Sequence, residues 1–297
     1  MNNKNQYVVR MSAGLANRMF QYSYYLFLKK NGLEAYVDNN YKATKWEMEN
    51  IEWERIFPNA TIHQASQSLI FKYGGGYNYI DKIRRHYLKF LCKVWNAKNS
   101  TIIPSSEDIS KYRYFIGVYQ NATFIETIKK EVYNAFKFSD FEKGSFNEHL
   151  SLKMKAENSV AIHVRKGKDY LTFDKFKNTC TTEYYKKAIN IIKEKVNNPV
   201  FYIFTDNAEW VKDNFTDFDY TLVNNNPSIG WGNHFDLQLM SICKHNIIAN
   251  STYSWWGAFL NQNPGKIVID PQYWFNPNMP QYKNLKNNTA CKEWILL

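Results

Sequence analysis

Apolar positions along this chain fall into short runs separated by stretches of helical period. Tyr7–Met11 (YVVRM) predicts a first strand, and Ser12–Arg18 a small, flexible turn. Met19–Lys30 predicts an aromatic-rich helix closed by Lys29, Lys30 and Gly32, and Glu34–Asp38 a second strand. This β-turn-α-β unit is the building block of a nucleotide-binding-type sheet. The next stretch is less regular. Trp46–Phe57 reads as helical or as a turn-rich insertion ended by Pro58, and Gly74-Gly75-Gly76 as a flexible break. Asp81–Val94 (DKIRRHYLKFLCKV) predicts a basic amphipathic helix that lies on a membrane surface or, the favoured reading, keeps its charged side solvated and packs its other side on the core. Tyr114–Tyr119 predicts a strand, Phe124–Phe136 a helix, and Asp140–Asn158 a polar crossover with a domain boundary near residue 150.

The pattern then becomes regular. Val160–Val164 is a small, β-branched strand. Thr181–Val196 predicts a helix with Tyr185, Ala188, Ile189 and Ile192 on one face. Val200–Thr205 (VFYIFT) is continuously apolar, as a central parallel strand should be. Asp206 is placed as the N-cap of a helix over Ala208–Phe215. Strands at Thr221–Val223, Ile247–Ala249 and Lys266–Asp270 alternate with helices at Asp236–His245 and Ser251–Leu260. Such alternation specifies a doubly wound α/β domain.

The composition narrows this picture only a little. A chain of 297 residues makes one large or two ordinary domains. Its net charge of +11 permits nucleic acid, an anionic membrane surface or a phosphorylated small molecule as partner. Cys92, Cys180, Cys243 and Cys291 are too widely spaced for a zinc site or a disulfide framework, so reduced thiols in a cytoplasmic setting are expected. The opening residues M-N-N-K-N-Q have no apolar core segment, so no leader is expected, and no apolar run approaches a membrane span.

Two stretches carry candidate chemistry. In Val160–Tyr170 (VAIHVRKGKDY) an apolar strand runs out into His163, Arg165, Lys166, Lys168 and Asp169. Ligands of open α/β sheets bind at the carboxyl ends of strands, and clustered cations there suit a phosphate; the other reading is a solvated turn. In Asn246–Asn261 a buried strand passes through Asn250, Ser251 and Thr252 straight into a helix. Free backbone N–H groups at such a start bind anions, although an ordinary Ser/Thr N-cap reads the same way. Together the two ends can hold a diphosphate from two sides. The first turn is G-x-x-N, without a dinucleotide fingerprint, and the P-loop and H-E-x-x-H motifs are missing. His234, beside Trp231-Gly232-Asn233, is read as a cleft residue.

The chain resembles the α-1,2-fucosyltransferase family of inverting, GDP-fucose-dependent glycosyltransferases. The matching residues are Gly14-Leu-Ala-Asn17-Arg18-Met-Phe-Gln-Tyr22, His163-Val-Arg165 with Asp169-Tyr170, Thr182–Ala188, Phe204-Thr-Asp206, and Leu239–Asn246 running into Asn250-Ser-Thr-Tyr253-Ser-Trp-Trp-Gly-Ala258. They occur in the family's order; residues 40–150 are poorly covered. Two departures stand out: H-V-R-K-G-K-D-Y has one residue more than the family's H-x-R-R-G-D-Y, and the first turn reads G-L-A-N-R instead of G-L-G-N-Q. Either Lys168 bulges out and Asp169 keeps its place, or the loop is rebuilt.

The resemblance implies two Rossmann-like domains of GT-B type. Residues 1–150 would form the acceptor-side domain and 151–297 the GDP-sugar-binding domain. It also implies a metal-independent reaction with no cofactor, GDP-fucose being the donor substrate. By motif, Arg165 binds the β-phosphate, and His163 and Asp236 approach the guanine or ribose. Ser251, Thr252 and Tyr253 close on the diphosphate, joined by Asn250. Asn17 faces the cleft, and Arg18 and Asp206 complete the substrate-binding set. A fixed guanidinium is a bidentate clamp that cannot lose its proton. Inversion needs a base for the acceptor hydroxyl, with Asp169 the first candidate and Asp174 the second. The expected partners are a GDP-sugar, a galactoside or oligosaccharide acceptor and, through the basic helix, the inner face of a membrane. A basic nucleic-acid-binding protein is the rival of another class, though no recognised module supports it.

Overall fold

Two parallel sheets, each covered by its own helices, make up the protein. The computed structural model describes residues 5–39, 52–76, 79–87, 91–228, 230–283, 287 and 289–297. The chain divides into two compact units, Met1–Lys137 and Phe138–Leu297. The division falls before residue 150 because the stretch expected to be a crossover folds as a helix of the second unit.

The first unit contains β1 (Gln6–Arg10), α1 (Leu15–Lys30), β2 (Glu34–Asp38), α2 (Trp53–Ile56), α3 (Gln67–Tyr73), α4 (Tyr79–Tyr87), β3 (Val94–Asn96), α5 (Ser106–Lys111), β4 (Tyr114–Ile116), α6 (Ala122–Thr127) and α7 (Lys129–Ala135). Its four strands are parallel in the order β2-β1-β4-β3. Side chains alternate between the faces of this sheet. Val8 and Tyr114 pack with Leu69, Ile70 and Tyr73 of α3. Phe115 turns instead to an aromatic layer, 5.5 Å from the ring of Tyr24 in α1, which stacks at 4.5 Å on Tyr119.

The second unit contains α8 (Phe146–Ala156), β5 (Ser159–Val164), α9 (Lys168–Thr172), a 3-10 turn at Asp174–Phe176, α10 (Thr182–Lys195), β6 (Val200–Thr205), α11 (Ala208–Asn214), β7 (Tyr220–Val223), α12 (Phe235–Ile242), β8 (His245–Ile247), α13 (Thr252–Leu260), β9 (Val268–Asp270) and β10 (Ile295–Leu296). The strands are all parallel, in the order β10-β9-β8-β5-β6-β7. Every residue of β5 is buried, which accounts for its mostly apolar sequence, SVAIHV. Val160, Ile162 and Val164 pack with Tyr184, Tyr185, Ala188, Ile189 and Ile192 of α10. On the opposite face α13 lies against α12. Gly257 permits that approach, since a Cβ there would sit 2.9 Å from Met240 Cβ.

Several sequence expectations need correction. α1 begins at Leu15, so Asn17 and Arg18 are helical instead of lying in the turn. The helix expected over Asp81–Val94 is α4 at Tyr79–Tyr87, and Val94 opens a strand. The helix expected over Phe124–Phe136 breaks at Ile128, whose φ of −124 interrupts it into α6 and α7. His245 belongs to β8, not to the helix before it. Most of Trp46–Phe57 lies outside the described residues; its end forms α2.

Candidate active site

β5 continues toward β6 on one side, while β8, arriving from β7, pairs on the other with Ile162 opposite Ile247. The direction of winding therefore reverses between β5 and β8. In open parallel sheets the crevice at this reversal, at the carboxyl ends of the strands, is where ligands bind. The turn carrying Arg165 and the turn carrying Asn250–Thr252 leave the sheet from these two adjacent strands.

Arg165 follows directly on β5, and its guanidinium Nη1 lies 3.4 Å from Asp206 Oδ2. Asp206 is not the N-cap of α11; Asn207 is, its Oδ1 accepting the Trp210 N–H. Asp206 is committed elsewhere, its Oδ1 accepting the Lys166 N–H at 2.7 Å. Asn207 Nδ2 donates to the Lys166 carbonyl at 2.9 Å. The end of β6 thus grips both sides of residue 166 and orients Arg165. A half-exposed ion pair adds only ~0–1 kcal/mol, so its worth is orientation more than stability. The Lys166 ammonium stands 5.2 Å from the Trp210 ring centroid and 5.6 Å from that of Tyr170. Burial lowers its pKa.

His163 points away from the Ile162/Val164 face and is buried. Burial, and then the Arg165 charge, pushes its pKa down to about 3, so the imidazole is neutral at physiological pH. Its carbonyl accepts the Tyr185 hydroxyl at 3.0 Å. Its Nδ1 has no hydrogen-bond partner among the described residues. A buried ring nitrogen in that state is ready for a ligand's polar edge.

At the second turn, Asn250 is used within the protein. Its Nδ2 donates to the Trp274 carbonyl at 2.8 Å, and its Oδ1 accepts from the Cys180 thiol at 3.3 Å. It therefore shapes the turn while Ser251 and Thr252 start the helix. Ser251 is the N-cap of α13, its Oγ 3.4 Å from the Tyr253 nitrogen. The Tyr253 hydroxyl donates to the Asn233 carbonyl at 2.5 Å and accepts the Leu237 N–H at 3.0 Å. Tyr253 thus ties α13 to the first turn of α12, its ring 6.1 Å from that of His163. Asp236, in that turn, accepts from Asn226 Nδ2 at 2.7 Å, and Asn226 Oδ1 accepts from Asn147 Nδ2 at 2.8 Å. Burial raises the Asp236 pKa to about 6, against the lowering effect of Asn226. His234, expected to line a cleft, is 2 % exposed and lies between the rings of Phe138 and Trp231.

The remaining candidates separate. Asp169 lies within α9, and its carboxylate is outside the described residues. The extra residue Lys168 starts that helix and is exposed, whereas Tyr170 is buried and stacked at 4.8 Å on Phe176. Asp174 is 71 % exposed and paired at 2.6 Å with Lys177, the arrangement of a surface residue. In the first unit, Asn17 Oδ1 accepts from Gln120 Nε2 at 3.1 Å. Arg18 is buried; it donates through Nε to the Ala13 carbonyl at 2.8 Å and through Nη1 to Asn39 Oδ1 at 3.0 Å. The Nε bond holds the carbonyl of Ala13, which is left-handed at φ 68, so Arg18 braces that turn.

The sequence profile of glycosyl transferase family 11 matches residues 1–297. The chain belongs to that family. This family 11 glycosyltransferase is 30% identical over 314 aligned positions to the O-antigen biosynthesis glycosyltransferase WbnK of Escherichia coli, covering 97% of this chain and 99% of the relative. It is 28% identical over 319 positions to an α-1,2-colitosyltransferase of E. coli, covering 97% of each. A mouse galactoside 2-α-L-fucosyltransferase, Sec1, matches at 22% over 191 positions, 62% of this chain and 51% of the relative. Among solved structures, the fucosyltransferase NodZ from Bradyrhizobium aligns with a TM-score of 0.52 at 12% identity, covering 90% of this chain and 96% of that one. The α-1,6-fucosyltransferase NodZ co-crystallised with GDP gives 0.52 at 13% identity, covering 91% and 96%. The fold of family 11 is thus the expected GT-B type with two Rossmann-like units, and the protein is an α-1,2-fucosyltransferase-like enzyme.

Sequence reasoning passed over Asn207, Asn226, Cys180 and Trp274, which support this end of the sheet. Asn207 had a signal, being a second capping residue directly after Asp206. The other three act through contacts between distant segments, for which the chain offers no local pattern.

Proposed function

We propose that this family 11 enzyme moves fucose from GDP-fucose to the 2-hydroxyl of a galactose-type acceptor, inverting the anomeric centre, in surface polysaccharide biosynthesis. The observation that carries this reading is the pairing of β5 with β8, which brings the Arg165 turn and the helix start at Ser251–Thr252 to one end of one sheet. The second unit takes the GDP-sugar and the first the acceptor. As the sugar leaves, negative charge gathers on the diphosphate, and Arg165, oriented by Asp206, stabilises it together with the N–H groups at the start of α13. His163 offers Nδ1, and Asp236 its carboxylate, to the base or ribose. Asp169 takes the proton of the acceptor hydroxyl; the exposure of Asp174 and its pairing with Lys177 favour Asp169 over it. No described helix is long and apolar enough to cross a membrane. We place the enzyme in the cytoplasm, working against the inner membrane face.

A donor screen tests this. The enzyme is incubated with GDP-fucose, GDP-mannose and UDP-galactose in the presence of EDTA, and released nucleotide is measured with and without galactosides. GDP release from GDP-fucose that rises with galactoside is expected. No release with any acceptor refutes the donor, and loss of activity to EDTA refutes metal independence. A second reading keeps the fold and changes the sugar. It is favoured by the 28% identity, over 97% of the chain, to an enzyme that transfers colitose.

A further inference from the structure

The sequence of α4 suggests a helix with a solvated basic side and an apolar side on the core, but the structure reverses this. Asp81 is its buried residue, packed where a Cβ on Gly76 would run into the carboxylate. Arg85 Nη1 donates to the carbonyls of Gly74 at 3.0 Å and Gly76 at 2.8 Å. Arg84 Nη1 donates to the Phe71 carbonyl at 2.6 Å, with its guanidinium 4.0 Å from the Phe71 ring centroid. The helix is therefore fastened to the turn after α3 by its polar side, leaving its apolar stripe outward. Tyr79, Ile80, Ile83 and Tyr87 are 77%, 70%, 40% and 72% exposed. They recur at helical spacing and so share one face. Beside them Phe71 is 57% and Leu91 55% exposed, so this short region holds six of the eleven exposed large hydrophobics among the described residues.

A patch of this kind on a soluble protein marks an interaction surface. Its charge selects the partner. Lys72, Lys82, His86 and Lys93 are exposed around it, and the region's one acid, Asp81, is buried. Apolar and aromatic side chains projecting from a basic rim, on a helix with few hydrophobic residues at its base, match an interfacial helix lying in the headgroup layer of an anionic bilayer. We infer that this face of the first unit, centred on α4, docks the enzyme on anionic lipid. Tyr79, Ile80, Ile83 and Tyr87 enter the interface, while Lys72, Lys82 and Lys93 meet the headgroups. The inference rests on the exposure and charge of this unit alone and holds whatever sugar the enzyme transfers.

Vesicle flotation of the full chain tests it, using phosphatidylcholine vesicles with and without about one-third phosphatidylglycerol, at low and high salt. Binding to the phosphatidylglycerol vesicles alone, weakened by salt, is expected. The Tyr79→Ser/Ile80→Ser/Ile83→Ser variant should bind at least about tenfold more weakly, and Lys72→Glu/Lys82→Glu comparably so, given the contributions of apolar burial and of each cation. Because every altered side chain is exposed, thermal midpoint and activity on a water-soluble acceptor should stay at wild-type values, which separates lost docking from lost folding. Absence of flotation, equal binding to both vesicle types, or wild-type binding by the triple-serine variant overturns the inference. So does a dimer in solution that this variant dissociates, since the face would then meet a second copy of the chain.

Discussion

Asn250 and Cys180 hold each other by two hydrogen bonds. The Asn250 N–H donates to Cys180 Sγ at 3.4 Å, and the thiol returns a bond to Asn250 Oδ1 at 3.3 Å. The turn that starts α13 is therefore shaped from the segment just before α10. Cys180→Ala should destabilise the protein by about 1–3 kcal/mol, the cost of stranding buried polar groups, and Cys180→Ser, which keeps a donor and an acceptor, by less. Urea unfolding measures both. Equal stability of wild type and the alanine variant would show that these bonds carry no weight.

Arg165 and Asp206 should separate in kinetics. Arg165→Ala is expected to lower kcat by roughly 10²–10³, the scale for one removed donor to developing negative charge. Arg165→Lys should recover little, because an ammonium cannot reproduce the fork. Asp206→Asn, which keeps an acceptor for the Lys166 N–H, should lower kcat while leaving the unfolding midpoint near wild type. A wild-type rate for Arg165→Ala would remove it from the reaction.

His163 and Asp236 predict opposite responses to acid. His163 is held neutral down to about pH 3 in the folded protein. An unfolded chain takes up that proton near its ordinary pKa of ~6.5, so this group costs stability as pH falls from there toward the folded value. The pKa of Asp236 is raised to about 6. The folded state thus binds more protons than the unfolded one between the ordinary carboxylate pKa of ~4 and that value, and this group costs stability as pH rises through the same window. Urea midpoints measured from pH 4 to pH 7 should therefore depend more steeply on pH in Asp236→Asn, where only the His163 effect remains, than in wild type. If ionised Asp236 contacts the nucleotide, the KM for the GDP-sugar should rise below about pH 6 in wild type and stay flat in the asparagine variant.

Gly257 offers a test of the packing behind the site. A valine there has to displace Met240, whose Cβ would lie 2.9 Å from the new Cβ. The expected cost is about 1–3 kcal/mol, as for other overpacked interiors. A thermal midpoint equal to that of wild type would show that α12 and α13 have room to part.

Central strands were legible because burial on both faces leaves them a single kind of sequence. Val200–Thr205, flanked by β5 and β7, has the bounds its sequence predicts, and so does the edge strand Glu34–Asp38. The Arg165 and Asn250 turns were legible as strand ends carrying polar residues, but their adjacency depends on strand order, which no local pattern encodes. Asp206 was misread because Asp and Asn cap equally well, and the choice between them was made by the Lys166 N–H from another strand. α4 was misread because helical period reveals a stripe without revealing which way it faces. Arg18 entered the site set by motif alone, and no local pattern foretold that it would donate to the carbonyl of a left-handed Ala13.

The pairing of β5 with β8 also bears on how the protein matures. Ile162 and Ile247 are register partners across the paired strands, yet two other strands and their helices separate them along the chain. The end of the sheet proposed to hold the nucleotide is thus absent from any nascent chain that stops before β8. Contacts of such long sequence separation form late in folding because the loop must close first. An anion that bridges the two turns would draw that final pairing forward, so that on the proposed site a bound donor would stabilise the junction that holds it.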